Sequence, residues 1–177
     1  MTTSAEVREQ VRRRAHRACE FCGVSETDVG GQLTVDHFRP RSQGGTDSLD
    51  NLLYCCGPCN QYKLDYWPTD PGSPRLWNPR HEPAGEHFVE LEDGTLHPLT
   101  SVGAFTLRRL RLNRPPLVAL RLHKRQEADA LRLLTRYRDL TQALSQLLTQ
   151  QAALMEEQQA LLEEQRGLLR RFLGGEG

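Results

Sequence analysis

Two Cys-x-x-Cys pairs, Cys19–Cys22 and Cys56–Cys59, constrain this chain more than any other feature of it. One tight turn can present two thiolates to one metal ion, and two such turns complete the four-ligand tetrahedron that zinc prefers. If both pairs meet at one ion, residues 23 to 55 form a loop closed at both ends, and whatever folds there is small and stapled. Cys55 is left over; it is expected as a small buried residue, with competition for the place of Cys56 as the alternative. All five cysteines fall before residue 60, whereas secreted disulfide domains spread theirs more widely. The Arg-rich stretch up to Arg17 lacks the apolar run of a signal peptide. No window approaches the roughly 18 apolar residues of a membrane span. A soluble, reducing, cytoplasmic setting is expected, in which such pairs bind metal in preference to forming disulfides.

Of the 177 residues, 37% are hydrophobic and 26% charged, so a large core is not expected. The formal net charge is zero, and affinity for nucleic acid would have to come from local patches. The fold class predicted is α+β, in three stretches. Residues 1–67 are the cysteine module, opening on a basic helix from Thr3 to Arg17 with Thr3 and Glu6 at capping-box spacing, and containing a short strand at Leu33-Thr34-Val35. Residues 68–114 are loop, hairpin and helix. The hairpin turns at Glu92-Asp93-Gly94, and the helix runs from Thr100 to Leu112. Residues 115–173 form a long helix whose first turn holds Pro115 and Pro116. From about residue 140 it is a coiled coil. Leu147, Leu154, Leu161 and Leu168 recur every seven residues, each followed by Leu148, Met155, Leu162 or Leu169. Gln151, Gln158 and Gln165 take the remaining seam position, with Leu144 and Phe172 at its ends. A homo-oligomer through this stripe, a dimer first, is expected; the alternative is a stripe folded back on its own module.

Between the cysteine pairs stand residues suited to phosphodiester chemistry. Hydrolysis needs a group that activates water and a cation that stabilises the leaving oxyanion. His37 suits the first task because an imidazole titrates near neutrality. Asp36 suits the second because hard cations prefer oxygen ligands. Neighbours on a strand face opposite ways, so these two share a site only if the strand ends or bends there. Asn60, opening a helix after Cys59, can join Asp36 on the cation. Asn51 can tie down the loop that holds His37. Arg39 and Arg41 flank the base and are candidate phosphate contacts, and Lys63 either touches phosphate or solvates its helix. Between Asp93 and Glu127 there is no acidic residue. Arg108, Arg109, Arg111, Arg114, Arg121, Lys124 and Arg125 in that window are a candidate phosphate-binding surface, and Arg12, Arg13, Arg14 and Arg17 a second. His81, His87, His97 and His123 are expected to be structural.

In order and spacing, Cys19-Glu20-Phe21-Cys22-Gly23, Val35-Asp36-His37, Gly44-Gly45, Asp50-Asn51-Leu52 and Cys56-Gly57-Pro58-Cys59-Asn60-Gln61-Tyr62-Lys63 resemble the HNH endonuclease family, whose catalytic unit is the ββα-metal fold. The resemblance covers about residues 17 to 65. It implies a zinc-stapled nuclease with His37 as general base, Asp36 and Asn60 as ligands of a catalytic Mg²⁺ or Mn²⁺, and Asn51 orienting the loop around the base. It implies Zn²⁺ on Cys19, Cys22, Cys56 and Cys59, and DNA as substrate. Many members carry His where this chain has Asn60, although Asn also occurs there. Residues 76 to 114 look like an extension found behind this module in many bacterial HNH proteins, which brings no defined function. Two other readings stay open: a non-catalytic zinc-dependent DNA-binding module, and a coiled-coil assembly protein.

Overall fold

Between the two cysteine turns two short strands pair, the first overlapping the strand expected at Leu33-Thr34-Val35. A computed structural model describes residues 4–173. β1 (Thr34–His37) and β2 (Leu52–Cys55) pair antiparallel, with Thr34 opposite Cys55 and His37 opposite Leu52. Every residue of β2 is buried, so it is the central element of the module rather than an exposed edge. β1 ends at His37, as the shared site requires, and the chain then turns through Phe38, whose N–H bonds the Asn51 carbonyl at 2.7 Å. Directly after β2 comes α3 (Gly57–Lys63), with a proline in its first turn, where no N–H is needed. These three elements form a ββα unit, and the α+β class holds.

Around the unit, α1 (Ala5–Arg14) is capped by Ser4, whose Oγ accepts the Val7 N–H at 3.3 Å. The expected cap residue, Thr3, lies outside the described residues. α2 (Glu26–Val29) opens on a capping box between Ser25 and Asp28. α4 (Ala84–His87) leads into the expected hairpin of β3 (Phe88–Glu90) and β4 (Leu96–Pro98). The Asp93 carboxylate accepts the Thr95 N–H at 2.8 Å across the turn, and Gly94 supplies its left-handed φ of 77°. α5 (Ser101–Arg109) is capped by Thr100, and α6 (Pro115–Leu173) begins at the proline pair.

The stretches expected as 1–67 and 68–114 share one core. Val11, Phe21, Leu52, Leu53, Trp77, Phe88, Leu110, Leu112 and Leu117 belong to a single buried cluster. Trp77 bridges the two stretches. Its ring meets Phe21 at 6.3 Å and Phe88 at 5.3 Å, both edge-on. Compact packing divides the chain into a unit ending at Lys124 and another beginning at Arg125. The second unit is helix through Leu173, and its leucines at 140, 147, 154 and 161 are each more than half exposed. Among the described residues no helix is long and apolar enough to cross a membrane.

Candidate metal centre and catalytic site

The four knuckle cysteines converge. Their Sγ atoms all lie within 4.8 Å of one another, and Cys22 Sγ is 3.6 Å from Cys56 Sγ. A tetrahedron with metal–sulfur bonds of about 2.3 Å has sulfur–sulfur edges of roughly 3.8 Å, so the donor set fits zinc. No disulfide joins any of the cysteines. Hydrogen bonds from Cys22, then from Cys55, Cys56 and Cys59, hold the Cys19 thiol far below its ordinary range, and the resulting thiolate pushes Cys59 up. Without a cation the cluster shares its protons around one thiolate; a bound metal would take their place, since each ligating thiol must be deprotonated. Cys55 is fully buried and stands outside the four.

Arg114 completes this centre, a role not visible from spacing. Its guanidinium lies 3.7 Å from Cys59 Sγ, 3.8 Å from Cys56 Sγ and 4.0 Å from Cys22 Sγ. Four thiolates on one Zn²⁺ carry a net charge of −2, and a guanidinium is the weakly hydrated cation suited to sit against it. The basic window therefore contributes a counter-charge to the metal centre here, rather than a phosphate contact.

Asp36, at the penultimate position of β1, meets the cation of this chain's own Lys63, at 2.9 Å from Oδ2. Lys63 is 1% exposed, which corrects the expectation that it touches phosphate or solvates its helix. No donor is aligned for a hydrogen bond to Asp36 Oδ2, so the contact is charge attraction across a short gap. Three residues before Lys63, Asn60 lies on the same face of α3, one turn away.

His37 is held from a direction that the motif did not indicate. Its Nε2 lies 2.7 Å from Asp47 Oδ1, and Asp47 is clamped in turn by Arg41, through Nη2 to Oδ2 and through Nε to Oδ1 at 3.0 Å. Arg41 holds the Asp47 carboxyl down to about 2, with His37 the second cause. Asn51 does what its position suggested. Its Oδ1 accepts the Arg39 N–H at 2.8 Å, and its Nδ2 donates to the carbonyls of Arg39 at 3.0 Å and Thr46 at 2.8 Å. Three bonds from one side chain pin both ends of the loop that follows His37. Gly45 lies inside that clasp, where a Cβ would stand 1.8 Å from the Arg39 carbonyl oxygen.

The other basic residues divide by partner. Arg39 stacks on Trp67 at 5.2 Å and donates from Nε to the Gln43 carbonyl at 2.6 Å, Arg109 stacks on Tyr66 at 4.9 Å and donates from Nη2 to the Lys63 carbonyl at 3.2 Å, and Arg111 stacks on Tyr62 at 4.8 Å. Arg108 is exposed at the end of α5. In the N-terminal patch, Arg12 forks onto Glu26 at 2.6 and 2.7 Å, and Arg14 donates to the carbonyls of Leu49 and Leu52. Those two are structural ties, which leaves Arg13 and Arg17 as the exposed members of that patch. His87 is buried between Thr100 and Glu82, as expected of a structural histidine.

Residues 19–65, which hold all four clustered cysteines and the Asp36–Lys63 ion pair, match the family model described as HNH endonuclease. No curated protein and no solved structure matches the chain.

Proposed function

We propose, from the HNH endonuclease domain at residues 19–65, that this chain is a metal-dependent endonuclease that hydrolyses DNA phosphodiester bonds. The observation that carries the reading is the clasp around His37: an imidazole at a strand end, with Asp47 on one nitrogen and its loop tied by Asn51. His37 takes a proton from water, and the resulting hydroxide attacks phosphorus. Asp36 and Asn60 supply oxygen ligands for a Mg²⁺ or Mn²⁺ ion, which when bound would stabilise charge on the phosphate and the leaving 3′ oxygen. Zn²⁺ on Cys19, Cys22, Cys56 and Cys59 fixes the turn before β1 to the start of α3. Arg39, Arg41, Arg108, Arg109 and Arg111 supply phosphate contacts, which position the substrate without reading its sequence. The test is supercoiled plasmid incubated with zinc-loaded protein and Mg²⁺ or Mn²⁺. Nicking or linearisation is expected, lost with EDTA and with His37→Ala while DNA binding persists. Binding without cleavage in either metal would favour the non-catalytic DNA-binding module.

A second reading concerns assembly, and the exposed leucine stripe of α6 supports it. A helix carrying Leu140, Leu147, Leu154 and Leu161 in water leaves apolar area uncovered that a second copy can bury. Two such chains on one substrate would bring two nicking sites together.

A further inference from the structure

We propose that Asp47 is the positioning residue for His37, accepting its Nε2 proton and leaving the Nδ1 lone pair to act as base. The inference rests on the nuclease reading above and goes beyond the motif, since Asp47 is none of the motif residues that the resemblance assigns.

The argument starts from which atom can hold the proton. An ionised carboxylate only accepts hydrogen bonds, so an imidazole nitrogen 2.7 Å from Asp47 Oδ1 must be the donor. Arg41 keeps that carboxylate ionised by gripping both of its oxygens. Arg41 Nε also lies 3.3 Å from His37 Nε2, but its single proton has the closer acceptor in Asp47 Oδ1 at 3.0 Å. Nε2 therefore carries hydrogen, and the neutral ring keeps its lone pair on Nδ1. A carboxylate on the far nitrogen also stabilises the imidazolium that forms once the base has taken a proton.

The geometry comes from the loop. Arg41 sits in a single 3₁₀ turn (Arg41–Gln43), and Asp47 follows the Gly44-Gly45 bend that brings the chain back over β1. Gly44 adopts a left-handed φ of 81°, and Asn51 fastens Arg39 and Thr46, the residues bracketing the loop. Asp47 is thus aimed at His37 by a bend with little freedom, and Arg41 holds its rotamer.

The experiment compares the zinc-loaded wild-type chain with Asp47→Ala, using zinc content and circular dichroism to establish that both fold. Cleavage is measured against DNA and Mn²⁺ concentration, with and without added formate, and the His37 ring N–H protons are followed by NMR in selectively labelled protein. The expected result is a kcat lowered by about 10–100-fold with KM little changed. Formate, which can occupy the vacated position, should restore part of the rate. A slowly exchanging downfield Nε2–H resonance should be present in wild type and absent in the variant. A kcat within twofold of wild type, or a change in KM alone, would overturn the proposal. So would a rate fully recovered by raising Mn²⁺, which would make Asp47 a cation ligand. If wild-type protein cleaves nothing, the nuclease reading fails by itself. The ring resonance then decides this proposal: its loss in the variant supports it, and its persistence overturns it.

Discussion

At the scale of single residues, side chains with no chemistry of their own set the geometry of the loop that follows His37, the proposed base. Asn51 spends all three of its bonds on the loop after His37, and Gly45 makes room for the carbonyl that one of those bonds requires. Gly45→Ala would push a methyl into the Arg39 carbonyl and the Asn51 amide at once, with no flexible neighbour to yield. A displacement near 1 Å at a catalytic group costs on the order of 10²-fold in rate. Cleavage by Gly45→Ala is accordingly expected to fall by about that factor while zinc content stays at one ion per chain, a pairing that steady-state kinetics with metal analysis would check. A variant cleaving like wild type would mean that the loop does not hold the base. His37, Asp36, Asn51 and Asn60 stand at spacings tied to the cysteine turns, and of their expected roles the structure shows the tie that Asn51 makes on the loop after His37. Asp47 was not legible in the sequence. Beside Gly44-Gly45 an aspartate looks like one more turn former, and only the returning path of the loop shows it against His37.

At the scale of elements, the cysteine cluster ties the turn at Cys19 to the start of α3. A structural zinc bound there would add roughly 10–16 kcal/mol of binding energy to what the buried residues of β2 already contribute. Chelation is expected to unfold the region around β1 and β2, seen as loss of hydrogen-exchange protection there. Arg114 makes the centre depend on the extension as well, because it reaches the thiolates from just before α6. Arg114→Met would remove the counter-charge and keep much of the stem's packing. Zinc release to a colorimetric chelator is expected to quicken by about 10–100-fold, as for other partners that support metal ligands. Arg111→Met, which removes only a ring contact, should leave release near the wild-type rate. Equal rates in all three proteins would make Arg114 a bystander. The sequence showed this arginine only as one positive charge in a basic run, since its partners lie up to 92 residues away.

At the scale of the whole molecule, the division after Lys124 separates the metal-binding unit from the leucine-bearing helix. Among the described residues, the buried core residues lie at or before Leu117, so the first unit has its core within its own length. A chain ending at residue 139 is expected to keep zinc and to cleave DNA at an undiminished rate per site, yet to elute as a monomer when light scattering is read across the peak. The full chain is expected to be larger than a monomer in the same measurement. A monomeric full-length protein would leave the stripe to some other partner and end the assembly proposal.

What the sequence by itself determined is whatever depends on spacing along the chain. The two cysteine turns, one short strand after the first of them, the hairpin at Glu92-Asp93-Gly94, the proline start of α6 and its seven-residue period were readable, because local geometry needs only near neighbours; the ββα order entered only through the resemblance, since β2 pairs with β1 across 21 residues at Thr34–Cys55. What only the tertiary structure decided is the pairing of charges. Lys63 went to Asp36, Arg41 to Asp47, Arg12 to Glu26 and Arg114 to the thiolates. A buried or half-buried charge must find an opposite partner. Which partner it finds depends on the faces that folding brings together, and residue order does not encode those meetings at any fixed distance along the chain.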